Sequence, residues 1–143
     1  MTSAAFSVRL TDWTRDSNAL RAIREPVFIV EQQVPAALEW DAADHVCVHA
    51  LALDADGRPI GCARLLDDAH IGRVAVLQPW RGRGVGNALM APLIEMAHAR
   101  GYPRVMLHAQ VRACGFYARM GFEAEGGVFE EAGIAHQSMA LAL

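Results

Sequence analysis

Between Arg81 and Asn87 the sequence reads RGRGVGN, three glycines alternating with Arg83 and Val85. An apolar, β-branched run, HIGRVAVL, leads in, and a helix-like pattern, NALMAPLIEMAHAR, follows. Glycine is costly to order, so this density implies something that must approach the backbone closely. A loop that opens a helix offers unpaired N–H groups and the positive end of the helix dipole. Gly82, Gly84 and Gly86 leave those amides free of a Cβ, and Arg81 and Arg83 add charge. The chemistry this suits is capture of a phosphate-like anion. A Walker A loop is excluded, because it needs a lysine and the chain has none. A dinucleotide fingerprint needs G-x-G-x-x-G, whereas GRGVGN is G-x-G-x-G, late in a mostly antiparallel run. A turn that only joins strand to helix is the remaining alternative.

Other reactive residue types are more scattered. The three cysteines, Cys47, Cys62 and Cys114, are odd in number and not in C-x-x-C spacing, which argues against a disulfide framework or a zinc knuckle. In DAADHVCVH, the group Asp41, Asp44, His45 and His49 invites a metal reading. Its spacing suits no helix pair once residues 46–53 form a strand, so no metal is expected. Those carboxylates are expected to solvate a loop or to draw a cationic molecule into a cleft. His108 and Gln110 are two residues apart in RVMLHAQ and share one face of a strand. That puts His108 either beside a bound ligand or in the core beneath it, the core being the commoner place for a lone histidine in an apolar strand.

These residues need a scaffold, and the patterning supplies one. FSVRL reads as a strand. DSNALRAIREPVFIVEQ reads as a helix capped by Asp16 or Ser17, with Pro26 kinking or splitting it. QVPAALEWDAADH reads as a polar loop. VCVHALALD and PIGCARLLD are strands joined by the turn signal ADGR, and HIGRVAVL follows. The helix after the glycine loop spans about 84–100, with Val85, Leu89, Leu93 and Met96 as its apolar stripe and a bend at Pro92. Gly101 stops it. RVMLHAQ is a strand, ACGFYARM a short helix, GFEAEGG a short strand and HQSMALAL a closing strand. The expected fold is α+β, a mixed, mostly antiparallel sheet with flanking helices. The strand–helix–strand unit around the loop should be a parallel crossover.

The bulk properties fit this frame. A chain of 143 residues with 53% hydrophobic content suits one domain over residues 1–143. A net charge of −3 argues against a nucleic-acid partner. No apolar run reaches the length of a membrane span, and the N-terminal stretch lacks a signal-type apolar core. A reduced, cytoplasmic protein is expected.

VAVLQPWRGRGVGNALM resembles the acetyl-CoA-binding motif of the GNAT superfamily of N-acetyltransferases. Arg81, Gly84 and Gly86 meet its R/Q-x-x-G-x-G/A core, and GFYARMGF resembles the family's F-Y-x-x-x-G-F segment. Pro79 falls one residue later than the family's usual V-x-P lead-in. VFIVEQQVP, EWDAADH, LHAQ and FEEAGIAHQSM extend the resemblance over most of the chain, to a small single-domain bacterial branch.

The resemblance implies an acetyl-CoA-dependent N-acetyltransferase acting on a small-molecule amine or a peptide, with acetyl-CoA as co-substrate and no metal. It assigns the CoA pyrophosphate to Arg81, Gly82, Arg83, Gly84, Val85, Gly86 and Asn87. It lays the pantetheine along Val74, Ala75 and Val76, with the Val76 N–H facing the oxyanion. It makes Tyr117 the acid for the departing thiolate and puts Gln110 near the cofactor. Direct transfer, the family's usual route, leaves Cys114 as a packed thiol. An amine of pKa near ~10.4 must lose a proton before it attacks. Glu31, Glu39, Asp41, Asp44, His45, His108 and His136 are the candidate bases, Glu31 at the family's acceptor cleft. Trp40 and Trp80 either wall that cleft or cover core. A CoA-binding sensor without catalysis is the alternative function, and open sheet edges would suit a homodimer.

Overall fold

The computed structural model describes residues 5–143. Seven strands form two antiparallel sheets. The first holds β1 (Phe6–Thr11), β2 (Val48–Asp54), β3 (Pro59–Leu65) and β4 (Ile71–Val76) in that order. The second has the order β5 (Arg104–Gln110), β7 (Ile134–Ala142), β6 (Glu123–Glu131). Only one parallel bridge, His70 to Met106, links β4 to β5 among the described residues. The expected crossover is therefore present but barely paired: the two strands touch at one end and run on in separate sheets. That parting opens the cleft described below.

The long helix α3 (Val85–Ala99) connects β4 to β5 and fills the main core with Val85, Leu89, Met90, Leu93 and Ala97. It runs through Pro92 unbroken. Gly61 lets it lie close on β3, since a Cβ there would stand 3.0 Å from Val85 Cγ1. A second core packs helix α1 (Trp13–Arg24) on the other face, through Trp13, Leu20 and Ile23 against Leu51, Cys62 and Ala75.

Three local expectations need correction. The cap of α1 is Asp12, whose carboxylate accepts from the Arg15 N–H. Asp16 is instead held by Arg9 at 2.7 Å and by the Thr11 hydroxyl. The chain does change at Pro26, as expected, continuing as one wide π-helical turn, Glu25–Glu31. Second, residues 33–45 are no solvated loop. They contain the short helix α2 (Ala36–Glu39) and a 3-10 turn, Ala42–His45, and bury Glu39 and Asp44. Third, β6 and β7 are nine residues each and close into a hairpin through Ala132 and Gly133, with φ of 52° and 77°. Both left-handed positions are what a type I′ turn needs. Alanine there is the uncommon choice, which hid the hairpin. No helix of the described residues is long and apolar enough to cross a membrane.

Candidate active site

A cleft of about 1240 Å³ runs between β4 and β5 and reaches the glycine loop. Its lining includes Val74, Ala75, Val76, Gly82, Gly84, Gly86, Asn87, Gln110 and Tyr117.

The loop is built for an uncapped helix start. Gly84 is the N-cap of α3 at φ 84°, and no side chain caps it. Ala88 N–H is the first to find a helical partner, the Gly84 carbonyl at 3.1 Å. The amides of Val85, Gly86 and Asn87 are thus left to an external acceptor. Gly82, at φ 75°, and Gly84 have open space where a Cβ would stand. Gly86 differs: a Cβ there would meet Phe116 Cζ at 2.9 Å. Its lack of a side chain makes room for an aromatic ring of helix α4 (Cys114–Ala118), a packing reason the sequence did not show.

β4 carries the second element of the site. Opposite Cys62 and Arg64 of β3 lie Ala75 and Gly72, so β4 holds one extra residue there. Arg73, at φ 53°, takes up this bulge. Past it, Leu77 N–H donates to the Ile60 carbonyl on the β3 side. Neighbouring residues alternate in direction, so the Val76 amide and carbonyl face the cleft edge. Arg81 Nε confirms this by donating to the Val76 carbonyl at 2.9 Å.

Arg81 also grips Glu31 through its two terminal guanidinium nitrogens, at 2.8 and 2.7 Å. The hydrogen bonds from Arg81 hold the Glu31 carboxyl below its ordinary range. The pairing makes Glu31 a weaker proton acceptor than a free carboxylate and fastens it to the loop. Trp80 lines the cleft, edge-on to Phe6 and beneath Arg83. Trp40 packs instead against Trp13, with Arg24 over its ring.

Tyr117 is buried at the cleft wall between Phe116 and Phe122. Burial pushes its phenol up to about 12, so it keeps its proton throughout the neutral range. Gln110 donates to Gln32 at 2.7 Å and accepts from Arg112, tying the end of β5 to the segment after the π turn. Cys114 lies beside it, its thiol toward the Gln110 carbonyl.

His108 is not in the core. Leu107 and Ala109 point inward, and His108 faces the cleft. Its Nδ1 is 3.1 Å from Glu131 Oε1, and its ring lies edge-to-face against His70 and Phe129. His136 is close by, its Nδ1 donating to the Ile134 carbonyl at 2.7 Å. His70 and Glu131 were missed by sequence reasoning. The only signal for Glu131 was its place at a hairpin turn that the sequence did not reveal.

The remaining candidate bases are committed elsewhere. Arg24, 1% exposed, donates to Glu39 at 2.8 Å and Asp44 at 2.7 Å. Arg64 takes Asp41 and Asp44, and Arg73 lies 3.1 Å from Glu39. Two hydrogen bonds from Arg64 hold Asp41 down to about 2. This buried lattice, not solvent, is where the acidic loop's charge goes. His45 sits edge-on to Trp13. Asp44, Cys47 and His49 do converge. Yet two guanidiniums hold Asp44, and burial pushes the Cys47 thiol up to about 11, so the group is poorly suited to a cation.

The comparisons with known proteins agree with this geometry. A family model described as an acetyltransferase (GNAT) domain matches residues 18–143. The N-acetyltransferase YjcF of Bacillus subtilis, itself uncharacterised, is 34% identical, covering 82% of this chain and 86% of its own. An acyl-CoA N-acyltransferase from Pseudomonas aeruginosa superposes with a TM-score of 0.83 at 32% identity, over 96% of this chain and all of that one. Escherichia coli ElaA superposes with a TM-score of 0.81 at 31% identity, over 94% of this chain and 98% of its own. The α+β architecture, the uncapped helix above a parted pair of strands and the matched sequence lead to one assignment: the chain belongs to the GNAT acetyltransferase family.

Proposed function

We propose that the chain transfers an acetyl group directly from acetyl-CoA to a primary amine, borne by a small molecule or a peptide. The observation that carries this reading is the cleft between β4 and β5, which joins the open amides of α3 to the buried phenol of Tyr117. The pyrophosphate would sit on the loop from Arg81 to Asn87, and the pantetheine would add to the edge of β4 along Val74, Ala75 and Val76. The resident groups suffice for the chemistry without a metal.

His108 removes a proton from the ammonium, and the neutral amine attacks the thioester carbonyl. The C–N bond forms, and the oxyanion is held by the Val76 N–H. As the C–S bond breaks, the thiolate takes the Tyr117 proton. The nitrogen loses a second proton to His108 after the first has passed to solvent. Tyr117 takes a proton back from solvent, so of the two protons nitrogen gives up, one is balanced by the proton on sulfur and one is released. Gln110 fixes the strand end beside the acyl group. We place the reaction in the cytoplasm, where the free thiols of Cys47, Cys62 and Cys114 stay reduced.

Calorimetric titration with acetyl-CoA and with free CoA tests the first half of this reading. The expected result is saturable binding near one per chain, followed by thiol release with members of an amine panel. Absence of binding overturns it.

A further inference from the structure

The proton acceptor of the proposed transfer has a neighbour that decides which of its nitrogens is free. Glu131 closes β6 at the tip of the second sheet, and its Oε1 lies 3.1 Å from His108 Nδ1. An ionised carboxylate only accepts hydrogen bonds, so the proton of a neutral His108 is drawn to Nδ1. Its Nε2 lone pair is then left for the cleft. Most isolated imidazoles place the proton the other way, so this tautomer needs an enforcing partner.

The surroundings keep Glu131 for this task. His136 donates its Nδ1 hydrogen to the Ile134 carbonyl, which turns its Nε2 toward Glu131 Oε2 at 3.8 Å. His70, packed edge-to-face on His108 with ring centres 5.6 Å apart, has Asp68 Oδ1 3.1 Å from its Nδ1 and makes no hydrogen bond to Glu131. It therefore does not compete for Glu131. The cleft guanidiniums of Arg64 and Arg73 are engaged by Asp41, Asp44 and Glu39. Phe129 covers the His108 ring from a third side.

We infer that Glu131 is a positioning residue: through His108 Nδ1 it holds the imidazole in the tautomer that presents Nε2 to the acceptor amine. The inference rests on the acetyltransferase reading for its consequence, but its geometry is testable without a substrate. When His108 takes the amine proton, the C–N and C–S changes are those given above, and Glu131 faces the resulting imidazolium without itself becoming protonated.

Long-range proton–nitrogen correlation spectra of the full chain report each imidazole tautomer. His108 should carry its proton on Nδ1 in the parent and lose that preference in Glu131→Gln. A proton on Nε2 in the parent overturns the inference. With an amine that the parent accepts, Glu131→Gln should lower kcat on the order of 10²-fold with acetyl-CoA affinity unchanged. The double variant Glu131→Gln/His108→Gln should be no slower than His108→Gln alone. Additive losses, or an unchanged kcat, overturn the positioning role. Glu125→Gln, which removes an exposed partner of Arg104 on the same hairpin, should leave both readouts alone. If the parent transfers to no amine, the acetyltransferase reading fails, while the parent and Glu131→Gln spectra still decide the tautomer.

Discussion

Arg81 and Glu31 stand fifty residues apart in sequence, and their side chains close a two-pronged ion pair at 2.8 and 2.7 Å. This pair fastens the π-helical turn to the glycine loop, and Arg81 Nε reaches Val76 from the same position. One guanidinium thereby ties together the loop, the edge of β4 and the end of the first helical segment. The clamp is half-exposed, so its worth lies in geometry more than in stability.

Glu31→Gln should therefore act on cofactor binding. We expect acetyl-CoA affinity to fall a few-fold, with kcat little altered. Calorimetry beside steady-state kinetics separates the two. A loss of kcat with unchanged affinity would return Glu31 to the list of bases.

The last two glycines of the loop, Gly84 and Gly86, should fail differently. Gly84→Val forces a branched residue to φ 84° and puts a side chain where the anion would approach. It should abolish acetyl-CoA binding while costing about 1–2 kcal/mol in stability. Gly86→Ala meets Phe116 at 2.9 Å and should disturb α4, and with it Tyr117. Its signature is a lowered kcat with binding largely kept. If Gly84→Val folds and binds acetyl-CoA normally, the loop does not hold the cofactor.

Tyr117→Phe removes one hydroxyl from a buried ring and leaves the packing against Phe116 and Phe122 in place. Turnover should fall about 10²-fold or more, with acetyl-CoA affinity within a factor of two of the parent. Equal turnover in a thiol-release assay would remove the phenol from the mechanism.

The buried lattice of Arg24, Glu39, Asp44 and Arg64 should show itself in stability. Asp44→Ala strands two buried guanidinium contacts and should cost about 3–5 kcal/mol in urea unfolding. Acid should act in the same direction. Asp41 sits at about 2 in the folded chain against 3.8 ordinarily, so its contribution is complete above about pH 4. It is lost as the pH falls toward 2. A parent whose stability is flat between pH 4 and 2 would contradict this.

The sequence by itself determined the elements with a local cause. A short apolar run in VHALALD and alternation in RVMLHAQ make strands, ADGR makes a turn, and Gly84 at the end of the loop starts a helix, because each depends on neighbours within a few residues. The glycine loop was legible for the same reason, the exposure of its amides being a property of the loop itself. Tertiary structure alone decided the fate of the charges. Glu39 and Asp44 look like solvated loop residues until Arg24 is brought over from α1 and Arg64 from β3. Glu31 looks like a free carboxylate until Arg81 arrives. His108 looks like core until β5 parts from β4 and Glu131 swings in on its hairpin. Electrostatic partners are chosen by distance in space, and a one-dimensional pattern does not encode which side chains the packing of two sheets will bring within 3 Å.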